Sequence, residues 1–220
     1  PINIRHIPYV LKWPGTYIIF FAYLTTYTLY ANVSYFNPYL IDVIGIDPDA
    51  SSVYSVIRSY GAMVIAPVGG IMADKVLKST STWYIVAFAI AGVMWAVPFL
   101  FSSESNVTMV CIYSILPSLV IFALYSVTYS ILRELHIPTM VAGTAIGLGS
   151  QSGLIVDGVW PTMFGSWLDK FGNTGYTYIF TFMIAMCVAG ILNALWAKNL
   201  DKKCKSGKKA LNLSGLQKNS

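Results

Sequence analysis

Charge is scarce in this sequence. Its 14 lysines and arginines and nine acids amount to 10% of 220 residues, against the ~25% of an ordinary soluble chain. A water-soluble domain of this length is thereby excluded as the simplest reading. Metal and redox chemistry are poorly provided for as well, with two histidines and three cysteines. His6 and His136 fall at the edges of apolar runs, and no His/Cys/Asp/Glu cluster has metal-ligand spacing. Cys111 and Cys187 lie inside apolar runs and Cys204 in a basic tail, so no disulfide framework is expected. No glycine-rich phosphate loop and no G-x-S-G serine-protease element occurs, and no nucleotide-binding domain is present to drive ATP-powered transport. The expectation is a non-enzyme without a cofactor. The short alternating segments of a membrane β-barrel are also missing.

What is abundant is apolar length. Hydrophobic residues make up 56% of the chain, grouped into six runs at 16–37, 52–73, 83–101, 108–132, 141–164 and 176–197. Each is close to the ~20 residues a helix needs to cross the hydrocarbon core. The expected fold class is therefore an all-α membrane protein with six transmembrane helices. Arg5, Lys12, Lys75, Lys78, Arg133 and seven tail lysines (Lys198, Lys202, Lys203, Lys205, Lys208, Lys209, Lys218) fall on one side. The other side holds Asp42, Asp47, Asp49, Glu104 and Asp169, with Lys170 as its base. Twelve of the 14 basic residues thus mark the side of both termini as cytoplasmic. The net charge of +5 then needs no nucleic-acid partner, and the lipid bilayer is the surrounding medium. The chain opens on Pro1, without an initiator methionine or a signal peptide, and is expected to be an excised piece.

At 100° per residue the runs divide into two kinds. The first aligns Thr16, Tyr23, Tyr27, Tyr30, Ser34 and Asn37; the fourth aligns Cys111, Ser114, Ser118, Phe122, Tyr125 and Tyr129. The second gathers Ser51, Tyr54, Ser55, Arg58, Gly61 and Ala62, and the fifth Gly143, Gly147, Ser150, Gln151, Asp157 and Gly158. The third and sixth show no polar face and are expected to meet lipid. Small and hydroxyl residues also help helices pack, but the order polar, polar, apolar occurs twice.

The stretches "GGIMADK" (69–75) and "FGSWLDK" (164–170) obey the same repeat, matching Gly70, Asp74 and Lys75 with Gly165, Asp169 and Lys170. Each ends the second helix of its triplet, on opposite sides. Two inverted three-helix repeats, 16–101 and 102–200, are the construction of many secondary transporters. Residues 1–15 form a cytoplasmic flank, and 201–220 a basic, disordered cytoplasmic tail.

"GGIMADKVLK" resembles the signature G-x-x-x-D-R-x-G-R-R of the major facilitator superfamily. Lys75 stands for the arginine, Lys78 supplies a later base, and the internal glycine is missing. "GTAIGLGSQSG" followed by "PTMFGSWLDKFGNTGYTYIF" is similar to the family's eleventh helix and the loop after it. Over about 10–200 the chain looks like the C-terminal six-helix half of such a transporter. The resemblance implies alternating access in a cell membrane and a partner half of six helices that this chain does not contain. It also implies a cavity lined by the first, second, fourth and fifth helices, and a contact of Asp74 with the opposite half.

Two ionisable residues lie well inside runs, Arg58 and Asp157, where charge is costly and usually has a function or a partner. Three readings stand open. They form a structural ion pair; Arg58 holds an anionic group of a small polar organic substrate; or Asp157 takes up a coupling proton, a counter-anion being the other form of coupling. Tyr23, Tyr27, Tyr30, Tyr125 and Tyr129 contact the solute or satisfy one another, and Gln151 and Ser118 line the same space. A six-helix channel, or a structural subunit that assembles with copies of itself, is the competing class.

Overall fold

The computed structural model describes residues 7–101 and 105–207, and all its regular elements are helical. A short α1 (Ile7–Leu11) precedes α2 (Pro14–Asn32), which passes through a tight turn at Val33–Tyr35 into α3 (Phe36–Asp42). There follow α4 (Pro48–Ile71) and α5 (Thr80–Ala96), then α6 (Val107–Tyr113) and α7 (Ile115–Tyr125), divided at Ser114. The fifth run consists of α8 (Thr139–Ser150) and α9 (Gly153–Phe171), and the sixth is the unbroken α10 (Thr174–Lys205).

Local chemistry sets these boundaries. Asp47 caps α4 by accepting from the Asp49 amide at 2.8 Å, with Pro48 in the first turn, where its missing N–H costs nothing. Ser79 caps α5 through the Thr82 amide at 3.2 Å, and Asn106 caps α6 through the Met109 amide at 3.2 Å. The polar stretch Gly149–Ser152 interrupts the fifth run, and α9 stops at Gly172, whose φ of +55° favours a residue without a Cβ.

Five helical stretches are long and apolar enough to cross a membrane: Pro48–Val76, Thr80–Leu100, Val107–Arg133, Thr139–Phe171 and Thr174–Lys205. The first run, expected at 16–37, is helical from 14 to 42 but is not one of these five. Its tyrosines, threonines and asparagine dilute its apolar length. At 1.5 Å per residue the 32 residues of α10 extend about 48 Å, more than the ~30 Å hydrocarbon core. Its basic final turns therefore reach past the apolar zone. The expectations placed on residues 1–6, Glu104 and 208–220, including Arg5, His6, Lys208, Lys209 and Lys218, fall outside the described residues.

The core lies between α5 and α10, which pack along their lengths, with Tyr84, Phe88, Trp95 and Phe180 almost wholly buried. Phe36 brings the first run into this layer by stacking on Trp95 at 4.9 Å. Gly190 allows the closest approach, because a Cβ there would lie 2.4 Å from the Phe88 ring. The third and sixth runs, expected to face lipid, thus spend much of their surface on each other. The barest run is the second, whose apolar window is 22% buried against 39–44% for the other four. Along α4 the exposed apolar residues include Tyr60 (67%), Met63 (74%) and Val64 (79%).

Between the two triplets, the main contacts pair the first run with the fourth, fifth and sixth, the fourth with the second and third, and the third with the sixth. Exchanging first with fourth, second with fifth and third with sixth leaves that set of pairs unchanged.

Candidate functional site

The tyrosines of the first and fourth runs converge. Tyr30 stacks on Tyr125 with ring centroids 4.3 Å apart, and Tyr23 stacks on Tyr27 at 5.1 Å and on Tyr129 at 5.8 Å. Tyr27 adds Tyr30 at 5.9 Å, and Phe122 closes the run edge-on to Tyr30 at 5.1 Å. All five tyrosines are half-buried. They are neither sealed in the core nor loose on the surface. The spacing of Tyr23, Tyr27 and Tyr30 puts them on one face of α2, which meets the matching face of α7. Each such aromatic pair contributes about 0.5–1.5 kcal/mol beyond the area it buries.

Gly153, at the start of α9, lets the fifth run approach this cluster, since a Cβ there would sit 3.1 Å from the Tyr23 ring. That approach brings Asp157 to Tyr27, whose hydroxyl donates to both carboxylate oxygens at 3.0 and 3.2 Å. Trp160, one turn further on, donates to Thr28 Oγ1 at 3.0 Å and ties α9 to α2. Two grooves flank the cluster. One, of about 410 Å³, runs between the first run and α9 and contains Asn32, Ser34 and Asp157. The other, of about 380 Å³, runs between α4 and the fourth run and contains Ser59, Tyr30 and Tyr125.

Arg58 is elsewhere. It is 4% exposed, and its Nη1 donates to Ser114 Oγ at 2.9 Å, in the seam between α4 and the junction of α6 with α7. Its Nη2 is buried without a hydrogen-bond partner among the described residues. None of the ion pairs among those residues joins Arg58 to Asp157. The structural pair expected of the two ionisable residues does not form, because the two side chains leave their helices toward different neighbours.

The remaining expected residues divide likewise. Ser118 is fully buried and bonds the Ser114 carbonyl of its own run at 3.3 Å, so it lies inside the bundle and not on the open face. Gln151 is exposed and turns back to the Gly147 carbonyl of its own helix at 3.3 Å. Asp74 and Lys75 fall in a widened helical turn, Met72–Val76, where Asp74 accepts from Arg133 at 2.6 Å with both side chains more than half exposed. Lys78 follows with a φ of +52°, beside a depression of about 550 Å³ that Asp74, Arg133 and Glu134 share. Asp169 is exposed, and neither Gly70 nor Gly165 has anything within 4 Å of a would-be Cβ.

Two carboxylates gained no role from sequence. Glu134 accepts from the Thr80 amide, the Ser81 amide at 3.1 Å and the Ser81 hydroxyl, so it caps α5 from the end of the fourth run. Asp42, ending the first run, accepts from the Tyr176 hydroxyl, while its backbone carbonyl takes Asn173 Nδ2 at 3.0 Å. Each fastens a run that opens one triplet to the run that closes the other. The signal available was their position, 92 residues apart at matching places in the two repeats.

This arrangement is that of a helical membrane protein. The chain is similar to an inner membrane protein. That relative is YihN of Escherichia coli (strain K12), 25% identical over 202 residues. The match covers 89% of this chain and 48% of YihN, so the chain spans about half of its relative's length. No family model matches the chain, and no solved structure matches it.

Proposed function

We propose that the chain is the C-terminal half of a secondary transporter of the major facilitator kind, carrying a small polar organic solute across an inner membrane by alternating access. Both termini face the cytoplasm on this reading, and the two triplets are inverted repeats. A six-helix partner half covers the open face. The observation that carries it is the convergence of five tyrosines and Asp157, from three different runs, on a half-open face within the apolar zone. An anionic group on the solute finds its donor in Arg58, whose Nη2 is buried without an acceptor among the described residues. The unchanged neighbour pairs under exchange of the triplets and the coverage of half of YihN support the same reading.

A self-assembling six-helix channel or subunit is the second reading, favoured by the bare apolar face of α4, which a second copy could cover. Cysteine placed at Met63 decides between them. Crosslinks in native membranes to a separate or upstream six-helix segment, with solute counterflow in proteoliposomes that Tyr27→Phe reduces, support the transporter. Crosslinks between identical copies without counterflow support the subunit.

A further inference from the structure

Among the described residues, Asp157 is a carboxylate without a cationic partner. It stands near the middle of the helical stretch Thr139–Phe171 and is exposed to the groove between the first run and α9. None of the ion pairs among the described residues includes it. One hydroxyl, that of Tyr27, is shared between its two oxygens, and an ionised carboxylate offers about four lone-pair sites. The groove around it supplies Asn32, Ser34 and Tyr35 with Val156 and Pro161, and no base. Behind Tyr27 lie the stacked rings of Tyr23 and Tyr30, and the face of a tyrosine ring attracts cations. An intramembrane carboxylate that has hydroxyl and aromatic neighbours, an open groove and no basic partner is complementary to positive charge.

We propose that Asp157, held by Tyr27, binds the protonated amine of the transported solute. A volume of about 410 Å³ suits a small organic cation, whereas a proton needs no groove. This rests on the transport reading and deepens it.

Three isosteric probes test this on the purified protein in lipid nanodiscs: ethanolamine, ethylene glycol and glycolate, with binding followed by saturation-transfer NMR. Ethanolamine should bind at least tenfold more tightly than ethylene glycol, a preference of about 1.4 kcal/mol. Asp157→Asn should abolish the preference and Tyr27→Phe should reduce it several-fold, while Asp49→Asn, at the exposed start of α4, leaves it intact. Equal binding of ethanolamine and ethylene glycol by the unmodified protein overturns the proposal, whatever the variants do. So does a preference that survives in folded Asp157→Asn. Glycolate bound and lost in Arg58→Gln, with no preference for the amine, overturns this inference and leaves an anion transporter standing. Loss of all counterflow with the amine preference intact removes the transport reading and not the site.

Discussion

Gly69 and Gly70 are adjacent, yet replacing each with alanine should move stability in opposite directions. A Cβ on Gly69 would lie 1.9 Å from the Ala123 carbonyl oxygen, whereas ordinary contact begins at 3.4 Å. The α4–α7 crossing would have to open by about 1.5 Å, an overpacking cost of about 1–3 kcal/mol. The same opening strains the bond from Ser126 Oγ to the Ala66 carbonyl, 2.9 Å long, for about 1 kcal/mol more. Alanine's better helix propensity returns about 1 kcal/mol. Gly69→Ala is therefore destabilising by about 1–3 kcal/mol. At Gly70 a Cβ meets nothing within 4 Å, so only the propensity gain of about 0.5–1 kcal/mol remains. The gap between the two variants should be on the order of 5–15 °C in thermal unfolding, at about 2–4 °C per kcal/mol for a chain of this size. Purified protein in one detergent, unfolded in a scan monitored by tryptophan fluorescence, gives the comparison. Equal midpoints, or a lower midpoint for Gly70→Ala, would refute the assignment of Gly69 as the packing contact. Measuring counterflow on the same variants adds a second axis. If Gly70 faces the partner half, Gly70→Ala should impair flux while raising the midpoint.

Three further outcomes are expected. Arg58→Gln and Asp157→Asn should combine additively in stability, within about 0.5 kcal/mol, because no ion pair joins them; a double variant that recovers what either single change loses would restore the structural pair. Glu134→Gln should lower the unfolding midpoint, since one carboxylate serves three donors of α5, at about 1–3 kcal/mol for the partners left short, and unchanged hydrogen exchange at Thr80 and Ser81 would count against that cap. Asp74→Asn should cost less than about 1 kcal/mol of stability, as for any exposed pair; on the proposed transport reading it should also shift the balance between inward- and outward-facing states in fluorescence transfer across the halves, and an unshifted balance removes Asp74 from gating.

Much of the architecture was legible because membrane helices announce themselves by length. The 3.6-residue periodicity also located the tyrosine faces on α2 and α7, and the structure brings Tyr23, Tyr27, Tyr30, Tyr125 and Tyr129 into one cluster. Periodicity gives a direction around one helix, however, and not the identity of what faces it. Arg58 and Asp157 therefore read as a candidate pair because both are ionisable residues inside runs, while the bundle sends one to Ser114 and the other to Tyr27. Ser118 shares a stripe with Tyr125, but the bundle buries it fully and leaves the tyrosine half open. Nor could composition find Glu134 or Asp42. Both sit where runs end, and a carboxylate there reads as a solvated loop residue until the start of another helix is placed beneath it.

The two carboxylates bear on how such a bundle can move. Every covalent connection here joins consecutive runs, so the triplets could in principle slide past one another. Asp42 holds the end of the first run to the start of α10, through Tyr176 and Asn173, and Glu134 holds the end of the fourth run to the start of α5. The fastenings lie at opposite ends of the bundle and cross between triplets in both directions. Sliding one triplet along the other would have to break one of them at each end. In between, Asn193 ties α10 to the Ile18 carbonyl at 3.0 Å, and Thr26 meets Thr128 at 3.2 Å, both in buried surroundings, where an unmade bond costs most. The least anchored of the five long apolar stretches is Pro48–Val76, which is 22% buried against 39–44% for the others. Relative motion is cheapest where few buried contacts must break. The bundle is therefore built to move as one body, with displacement concentrated at the bare α4 face.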